Sequence, residues 1–195
     1  MSSHEIFFLV FAYLIGSIPF GFIFYYITEK KDIRSQGSGN IGATNVLRQK
    51  GKVWGLATLL LDSLKGVIPI LYGLKHFDSP IIVIGGGAAA IVGHIFPVFL
   101  KFRGGKGVAT FVGAVLLFYW PAAALFAALF LLTARLSRYA SLASIAGAVS
   151  VFFLILFTHI AEVAMVVLLV VILIIVRHRD NIRRIIAGTE NKINL

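Results

Sequence analysis

Long apolar segments alternate with short polar ones along almost the whole chain. A helix needs roughly 20 apolar residues to cross the hydrocarbon core of a bilayer, and the apolar segments are 14 to 28 residues long. Five segments have no charge in their interior, and a sixth is interrupted only by Asp62 and Lys65. In chain order the six segments are 6–28, 53–74, 79–100, 107–134, 139–161 and 163–176.

The composition places this pattern in a membrane. Hydrophobic residues make up 59% of the 195, charged residues only 13%, and the mean hydropathy is +0.95. A soluble domain of this size would need far more polar surface, so we expect an all-α polytopic membrane protein. The first segment has no basic start and no small-residue cleavage site, and we interpret it as a retained span. The absence of cysteine excludes disulfides and thiolate metal sites.

Lysine and arginine predict the topology. All but Lys65 and Lys75 of the 18 lie in four segments: 30–52, 101–106, 135–138 and 177–192. Positive charge favours the cytoplasmic side. Residues 108–134 should therefore form a short helical hairpin that breaks near Trp120-Pro121, with arms of about 13 residues and ~20 Å.

The same argument splits the last apolar region into two spans that turn near Thr158-His159. We expect seven transmembrane helices, with the N-terminus outside and the C-terminus cytoplasmic. Five or six helices with one re-entrant arm are the alternative. The chain has no evident internal repeat or linker, so residues 1–195 are expected to form one domain.

Two glycine-rich loops lie where positive charge gathers. Glycine lets backbone N–H groups approach an anion, and a helix that begins directly afterwards adds the positive end of its dipole. Neither loop has the context of a dinucleotide fingerprint or the spacing of a P-loop, and a flexible connector is the alternative for each. Their candidate phosphate-binding residues are Gly37, Ser38, Gly39, Asn40, Thr44, Asn45 and Arg48 in the first loop, and Gly104, Gly105, Lys106, Gly107 and Thr110 in the second.

Other polar residues within or beside the apolar segments leave two interpretations open. Asp62 and Lys65 are spaced i,i+3 and can form a structural pair, or reach toward the basic loops. His94 can be a packed histidine or a substrate-binding or catalytic one. Helix capping explains Ser141 and Ser144 as well as substrate binding does. A basic tail that contacts anionic lipid explains the C-terminal charges, but does not require Asn181 or Glu190.

The motifs resemble one family, in order and along nearly the whole chain. Residues 37–45, Gly93-His94 with Pro97, residues 104–110, residues 139–144, and 177–179 with Asn181-Ile182 are similar to the bacterial acyl-phosphate glycerol-3-phosphate acyltransferases. The resemblance implies a multi-pass enzyme of the bacterial inner membrane with a cytoplasmic active site. It implies acyl transfer from acyl phosphate to the 1-hydroxyl of glycerol 3-phosphate, which gives lysophosphatidic acid and inorganic phosphate.

The family's three cytoplasmic motifs map onto 37–48, 104–110 and the region from Ser141 to Glu190. The catalytic candidates are His94, Lys106, Ser38 and Asn181. Substrate contacts are expected from both glycine loops and from Ser141, Ser144, His178, Asn181 and Glu190. No metal, cofactor or nucleic acid is expected; the expected partners are the two substrates and membrane lipids, and a monomer is plausible.

The residues themselves suit a reaction without an acyl-enzyme. The chain has no cysteine, no His-x4-Asp dyad, no Ser-His-Asp elbow and no carboxylate cluster for Mg²⁺. Acyl phosphate is already activated, so positioning and charge stabilisation can suffice, and its phosphate can accept the hydroxyl proton. His94 or His178 as general base is the competing mechanism. A transporter of an organic phosphate and a non-catalytic lipid-binding protein are the other classes.

Cysteine accessibility tests the predicted hairpin. Cysteines introduced one at a time at residues 103 and 137 of this cysteine-free chain should both react with an impermeant maleimide from the cytoplasmic side. Cysteines that label from opposite sides would contradict the hairpin.

Overall fold

The computed structural model describes residues 1–158 and 161–193, and this part of the chain is helical without any strand. It contains ten α-helices and two short 3-10 turns. The chain forms two compact units, Met1–Leu117 and Phe118–Leu195. Both units follow from the alternation of apolar segments and short polar connections.

The first unit holds six of the helices. They are α1 (Ser3–Ser17), α2 (Phe20–Glu29), α3 (Ala43–Lys50), α4 (Lys52–His76), α5 (Pro80–Ile95) and α6 (Val108–Phe118). Helix α5 packs against both α1 and α4, and α3 packs against the start of α4. The 3-10 turns, Ile33–Ser35 and Val98–Leu100, lie in the two polar connections.

The first apolar segment is broken in the middle. Helix α1 ends at Ser17 and α2 begins at Phe20, with Ile18 in an extended conformation. Pro19 explains the break, because proline has no N–H to donate and disfavours helical geometry in the residue before it. The sequence analysis expected one span over 6–28, and Ser3–Glu29 does qualify as one span by length and hydropathy, but the analysis missed the break within it.

Glycines let pairs of helices in the first unit approach until their backbones touch. A Cβ added at Gly16 or Gly93 would collide with backbone atoms across the α1–α5 contact. A Cβ at Gly66 would meet Thr110 O and Ala114 N, and one at Gly113 would meet Ser63 O, across the α4–α6 contact. Small residues at such contacts are the usual way for helices to pack in a membrane.

The second unit is a run of antiparallel helices and a short tail. It contains α7 (Trp120–Ser137), α8 (Ala140–Thr158), α9 (Ala161–Arg177) and α10 (Arg179–Ile186). Arg138, with φ 61°, makes the tight turn between α7 and α8, which pack along each other. Helices α9 and α10 meet at an angle of 51°.

The described helices support a multi-pass membrane protein. Five spans are long and apolar enough to cross a bilayer, or six if the bent α9–α10 pair counts as one; the 11 residues of α6 are too few by this measure. The predicted break is confirmed, since α6 ends at Phe118 and α7 begins at Trp120, with Pro121 in its first turn.

The structure corrects one predicted helix length and agrees with one predicted helix end. An arm of about 13 residues was wrong for the second half of the hairpin, because α7 continues for 18 residues to Ser137. Helix α8 ends at Thr158 as expected, but His159 lies outside the described residues. Seven helices, their orientation and a single domain stay predictions.

The α4–α6 contact predicts a large effect of one methyl group. Gly66→Ala should lower the free energy of unfolding by about 1–3 kcal/mol, the usual effect of overpacking, because the new Cβ meets backbone atoms that cannot rotate away. Thermal unfolding of the detergent-solubilised protein measures it. Gly85→Ala is the matched control, since its Cβ would lie 3.5 Å from Leu9 Cδ2, an ordinary contact. Equal stability of the two variants would contradict the close packing.

Candidate functional site

The first glycine loop is organised by one buried amide. Asn45, 1% exposed, donates from Nδ2 to the carbonyl oxygens of Gln36 (3.0 Å) and Asn40 (2.9 Å), and its Oδ1 accepts from the Ser38 N–H (3.1 Å). Asn45 therefore holds the loop from inside. Its predicted contact with substrate stays a prediction, but these hydrogen bonds already occupy both ends of its amide.

Backbone conformation explains two glycines of this loop. Gly37 and Gly39 have φ of 57° and 71°, the left-handed region that side chains disfavour. A Cβ at Gly37 would also collide with Asn45 Oδ1. The loop rests on a small buried cluster comprising Tyr25, Ile33, Ile41, Val46 and Leu100.

Helix α3 presents the rest of the first motif. Thr44 and Arg48 lie one helical turn apart and are exposed, as the i,i+4 spacing predicted, whereas Ser38 and Asn40 are half-buried in the loop. The hydroxyl and guanidinium groups can therefore reach a ligand on the outer side of α3.

Arg34 connects the polar segments that precede the two loops. It donates to both carboxylate oxygens of Asp32 in its own segment, and its Nη1 lies 3.4 Å from the carbonyl oxygens of Leu100 and Arg103 in the other. The hydrogen bond from Arg34 holds the pKa of Asp32 below its usual value. Both residues lie outside the motifs, and the sequence analysis missed them.

The second glycine loop is fixed to the end of α5. Gly104 N–H donates to Ile95 O (3.2 Å) and Gly105 N–H to His94 O (3.0 Å). A Cβ on Gly104 would collide with His94 O and the Pro97 ring, and one on Gly105 with the His94 ring. Glycine is needed here for close approach to α5.

These hydrogen bonds correct one expectation. The loop was expected to offer the N–H groups of three glycines to an anion, but Gly104 and Gly105 direct theirs to carbonyl oxygens of α5. The backbone donors that remain for an anion in this segment are at the start of α6, because the first N–H groups of a helix have no partner within it. Helix α6 begins at Val108, directly after Lys106 and Gly107, as predicted.

Three ionisable side chains meet in the interior of the first unit, and we call Asp62, Lys65 and His94 the buried ionic cluster. Lys65 Nζ lies 2.7 Å from Asp62 Oδ1 and 3.3 Å from His94 Nδ1. His94 Nδ1 is 3.6 Å from Asp62 Oδ1. All three side chains are at most 4% exposed.

The buried ionic cluster also reaches α6. The Thr110 hydroxyl, fully buried in the first turn of α6, donates to the Asp62 carbonyl oxygen at 2.9 Å. The predicted phosphate contact of Thr110 stays a prediction, but this hydroxyl serves to fix α6 on α4.

In the second unit the candidate residues converge on Glu190. Its Oε1 accepts from Ser141 Oγ (2.8 Å) and Asn181 Nδ2 (2.5 Å), and its Oε2 accepts from Arg184 Nε (2.7 Å). Burial raises the pKa of Glu190, but the hydrogen bonds from Asn181, Arg184 and Ser141 outweigh it and leave the pKa below its usual value. Glu190 thus joins the tail to α8 and α10 as a carboxylate.

The remaining candidates of the second unit are engaged with their own helices. His178, 2% exposed, has Nδ1 2.8 Å from Ile174 O, so this nitrogen carries the proton. Ser144 Oγ donates to Ala140 O at 2.8 Å, so neither it nor Ser141 caps a helix.

The candidate residues thus form three groups: the first glycine loop with α3, and the second glycine loop with the buried ionic cluster, both in the first unit, and the residues around Glu190 in the second. In the first unit, the sequence named Asp62, Lys65 and His94 but did not place them together. In the second it missed Arg184, because nothing in a basic tail distinguishes the arginine that pairs with Glu190. In the described part of the chain, no three His, Asp or Glu side chains converge as metal ligands would.

Comparison with known proteins gives one consistent result. A family model described as glycerol-3-phosphate acyltransferase matches residues 6–188. Glycerol-3-phosphate acyltransferases of Brucella anthropi and Mesorhizobium japonicum are 43% and 46% identical to the chain. Each match covers 95% of the chain, and 91% and 94% of the respective relative.

Two solved structures share the fold. The crystal structure of PlsY (YgiH), an integral membrane glycerol 3-phosphate acyltransferase, in its glycerol 3-phosphate form has a TM-score of 0.94 and 39% identity. It matches over 98% of this chain and 96% of its own. The lysophosphatidic acid form gives a TM-score of 0.88 with the same identity and coverage. With its glycine loops, multi-pass helices and matched length, this chain belongs to the glycerol-3-phosphate acyltransferase family.

Proposed function

We propose that this protein transfers a fatty acyl group from acyl phosphate to the 1-hydroxyl of glycerol 3-phosphate. The products are lysophosphatidic acid and inorganic phosphate. The observation that carries the proposal is the loop 104–107, fixed to α5, with Lys106 directly before the start of α6. Solved relatives in glycerol 3-phosphate and lysophosphatidic acid forms support the acceptor and the product. The assignment of acyl phosphate as the donor rests on the family resemblance and on the absence of the cysteine, the His-x4-Asp dyad and the Ser-His-Asp elbow that other acyltransfer mechanisms use.

Both substrates are anions, and the candidate residues supply complementary groups. Lys106 and Arg48 carry the positive charge, the N-terminus of α6 adds N–H donors, and Ser38, Asn40 and Thr44 offer hydroxyl and amide groups. In the second unit, Asn181 and Ser141 are oriented by Glu190. The glycines, Asn45 and Thr110 give the two loops their shape.

The reaction can proceed without an acyl-enzyme. The 1-hydroxyl oxygen attacks the acyl carbonyl carbon, and the bond from that carbon to the phosphate oxygen breaks. The electron pair leaves with the phosphate, which also takes the hydroxyl proton. Lys106 balances the negative charge that grows on the leaving phosphate, while Ser38 holds the reacting groups in place. Asn181 is the catalytic candidate that the second unit contributes. His94 is the alternative proton acceptor.

The proposal also covers the membrane topology and the cellular location of the protein. Helices α6 and α7 would be separate arms, which gives seven spans with the N-terminus outside and the C-terminus cytoplasmic. This topology is supported by the charge distribution, because both basic glycine loops then face the cytoplasm. The enzyme would work as a multi-pass protein of the bacterial inner membrane, and one copy of the chain carries every residue that the proposal uses.

One incubation tests the activity. Purified protein is mixed with labelled glycerol 3-phosphate and either acyl phosphate or acyl-CoA. Acyl phosphate should give labelled lysophosphatidic acid with equimolar phosphate, and acyl-CoA should not. Uptake of glycerol 3-phosphate into proteoliposomes without a donor, and no lysophosphatidic acid with one, would instead support a transporter.

Loss of either basic side chain should weaken the use of phosphate substrates. Lys106→Ala and Arg48→Ala should each lower kcat/KM roughly 10- to 150-fold, the effect of losing a charge-assisted contact of about 1.5–3 kcal/mol. Lys75→Ala, at an exposed position on α4, is the control and should leave kcat/KM unchanged. Wild-type kinetics in both folded variants would rule the two residues out as phosphate ligands.

The proton transfer gives a separate prediction. His94→Ala and His178→Ala should lose activity through displaced neighbours, and imidazole should not restore it. The bond from His178 Nδ1 to its own helix supports this expectation. A true general base contributes about 10²–10⁴-fold. Recovery of kcat by imidazole in either variant would assign that histidine as the base.

A further inference from the structure

The proposed reaction leaves two buried charges without a role. Asp62 and Lys65 lie 10 and 13 residues into α4, about 15–20 Å along the helix at 1.5 Å per residue, and their side chains are 2% exposed. Charged groups inside a membrane helix cost roughly 2.5–3.5 kcal/mol each on insertion scales, and usually serve function. Mutual neutralisation explains how Asp62 and Lys65 can both be buried. It does not explain why Lys65 contacts His94 or why the Asp62 carbonyl accepts the Thr110 hydroxyl.

The first of these contacts fixes the proton on His94. A lysine ammonium has three donors and no acceptor, so with Lys65 charged and His94 neutral, Nδ1 accepts at the 3.3 Å contact between Lys65 Nζ and His94 Nδ1. The distance of 3.6 Å from Nδ1 to Asp62 Oδ1 is too long for a competing hydrogen bond. The ring proton of neutral His94 therefore lies on Nε2. Asp62 in turn holds the ammonium, at 2.7 Å.

The second set of contacts joins the buried ionic cluster to the glycine loop. The Nε2 edge of His94 lies where a Cβ of Gly105 would be, so the imidazole ring packs directly against that residue. The carbonyl of His94 accepts the Gly105 N–H, and the carbonyl of Asp62 accepts the Thr110 hydroxyl. The loop is thus held on both sides of Lys106 by residues of the cluster.

We propose that Asp62 and Lys65 are positioning residues for the loop that carries Lys106. They hold His94 as the Nε2–H tautomer under Gly105, and thereby set the place of Lys106 and of the first turn of α6. The inference rests on the proposed function in one respect, namely that the ligand of this loop is a phosphate group. A purely structural pair would affect stability and leave the loop's affinity unchanged.

The tautomer can be observed directly. Histidine-selective ¹⁵N spectra of the solubilised wild-type protein should show a His94 signal with hydrogen on Nε2 and an unprotonated, accepting Nδ1. His94→Gln identifies that signal by its disappearance. A hydrogen on Nδ1 in the wild-type protein would overturn the proposal without any further variant.

A paired variant tests the effect on the loop. Asp62→Asn with Lys65→Met removes both charges together, because either change alone would leave an uncompensated buried ion. Dissociation constants for inorganic phosphate, measured by titration of the folded protein, should rise on the order of 10-fold, by analogy with the loss of a group that orients a metal ligand. The His94 signal should shift at the same time.

Lys75→Met is the matched control, since it removes an exposed lysine from the same helix, and it should change neither measurement. A folded paired variant with wild-type phosphate affinity would overturn the positioning role, as would a wild-type protein that binds no phosphate. If the affinity falls but no variant or wild-type protein makes lysophosphatidic acid, the proposed function fails and the positioning role stands.

Discussion

Close contact between helix backbones is the constraint on which the first unit depends. In a bilayer, apolar side chains gain little by leaving lipid for protein, so helices associate through tight packing and hydrogen bonds. Gly66 and Gly113 let α4 and α6 touch, and Gly16 and Gly93 do the same for α1 and α5. Helix α6 is only 11 residues long, and Gly66 and Gly113 bring its backbone directly against α4.

The two glycine loops use glycine for different physical reasons. In the first loop, Gly37 and Gly39 adopt left-handed backbone angles, and the buried Asn45 side chain hydrogen-bonds to the backbone of the loop from inside. In the second, Gly104 and Gly105 are needed because the chain passes directly over the end of α5. The two loops are both rich in glycine, but the first needs it for its backbone angles and the second needs it for close packing against α5.

The sequence was sufficient for features that depend on neighbours along the chain. Apolar length located the long helices, Trp120-Pro121 marked the start of α7, and the spacing of Thr44 and Arg48 indicated helix α3. The break before Pro19 was also readable, because proline constrains the residue before it.

Contacts between distant parts of the chain could not be read in this way. Lys65 and His94 are 29 residues apart, and nothing in either segment shows that the lysine donates to the histidine. The N–H groups of Gly104 and Gly105 were assigned to a ligand because their acceptors, on α5, were unknown. Arg184 could not be distinguished from the other arginines of the tail before its contact with Glu190 was seen.

The arrangement of the buried ionic cluster bears on how the protein is made. Asp62 and Lys65 emerge from the ribosome before His94, so α4 meets the membrane without the histidine that later completes the cluster. A lone charge at the helix centre would oppose insertion, but the i,i+3 spacing lets these two neutralise each other within α4 at once. Helix α4 can thus insert into the bilayer before α5 and the loop that follows α5 have been synthesised, and these can pack against it afterwards.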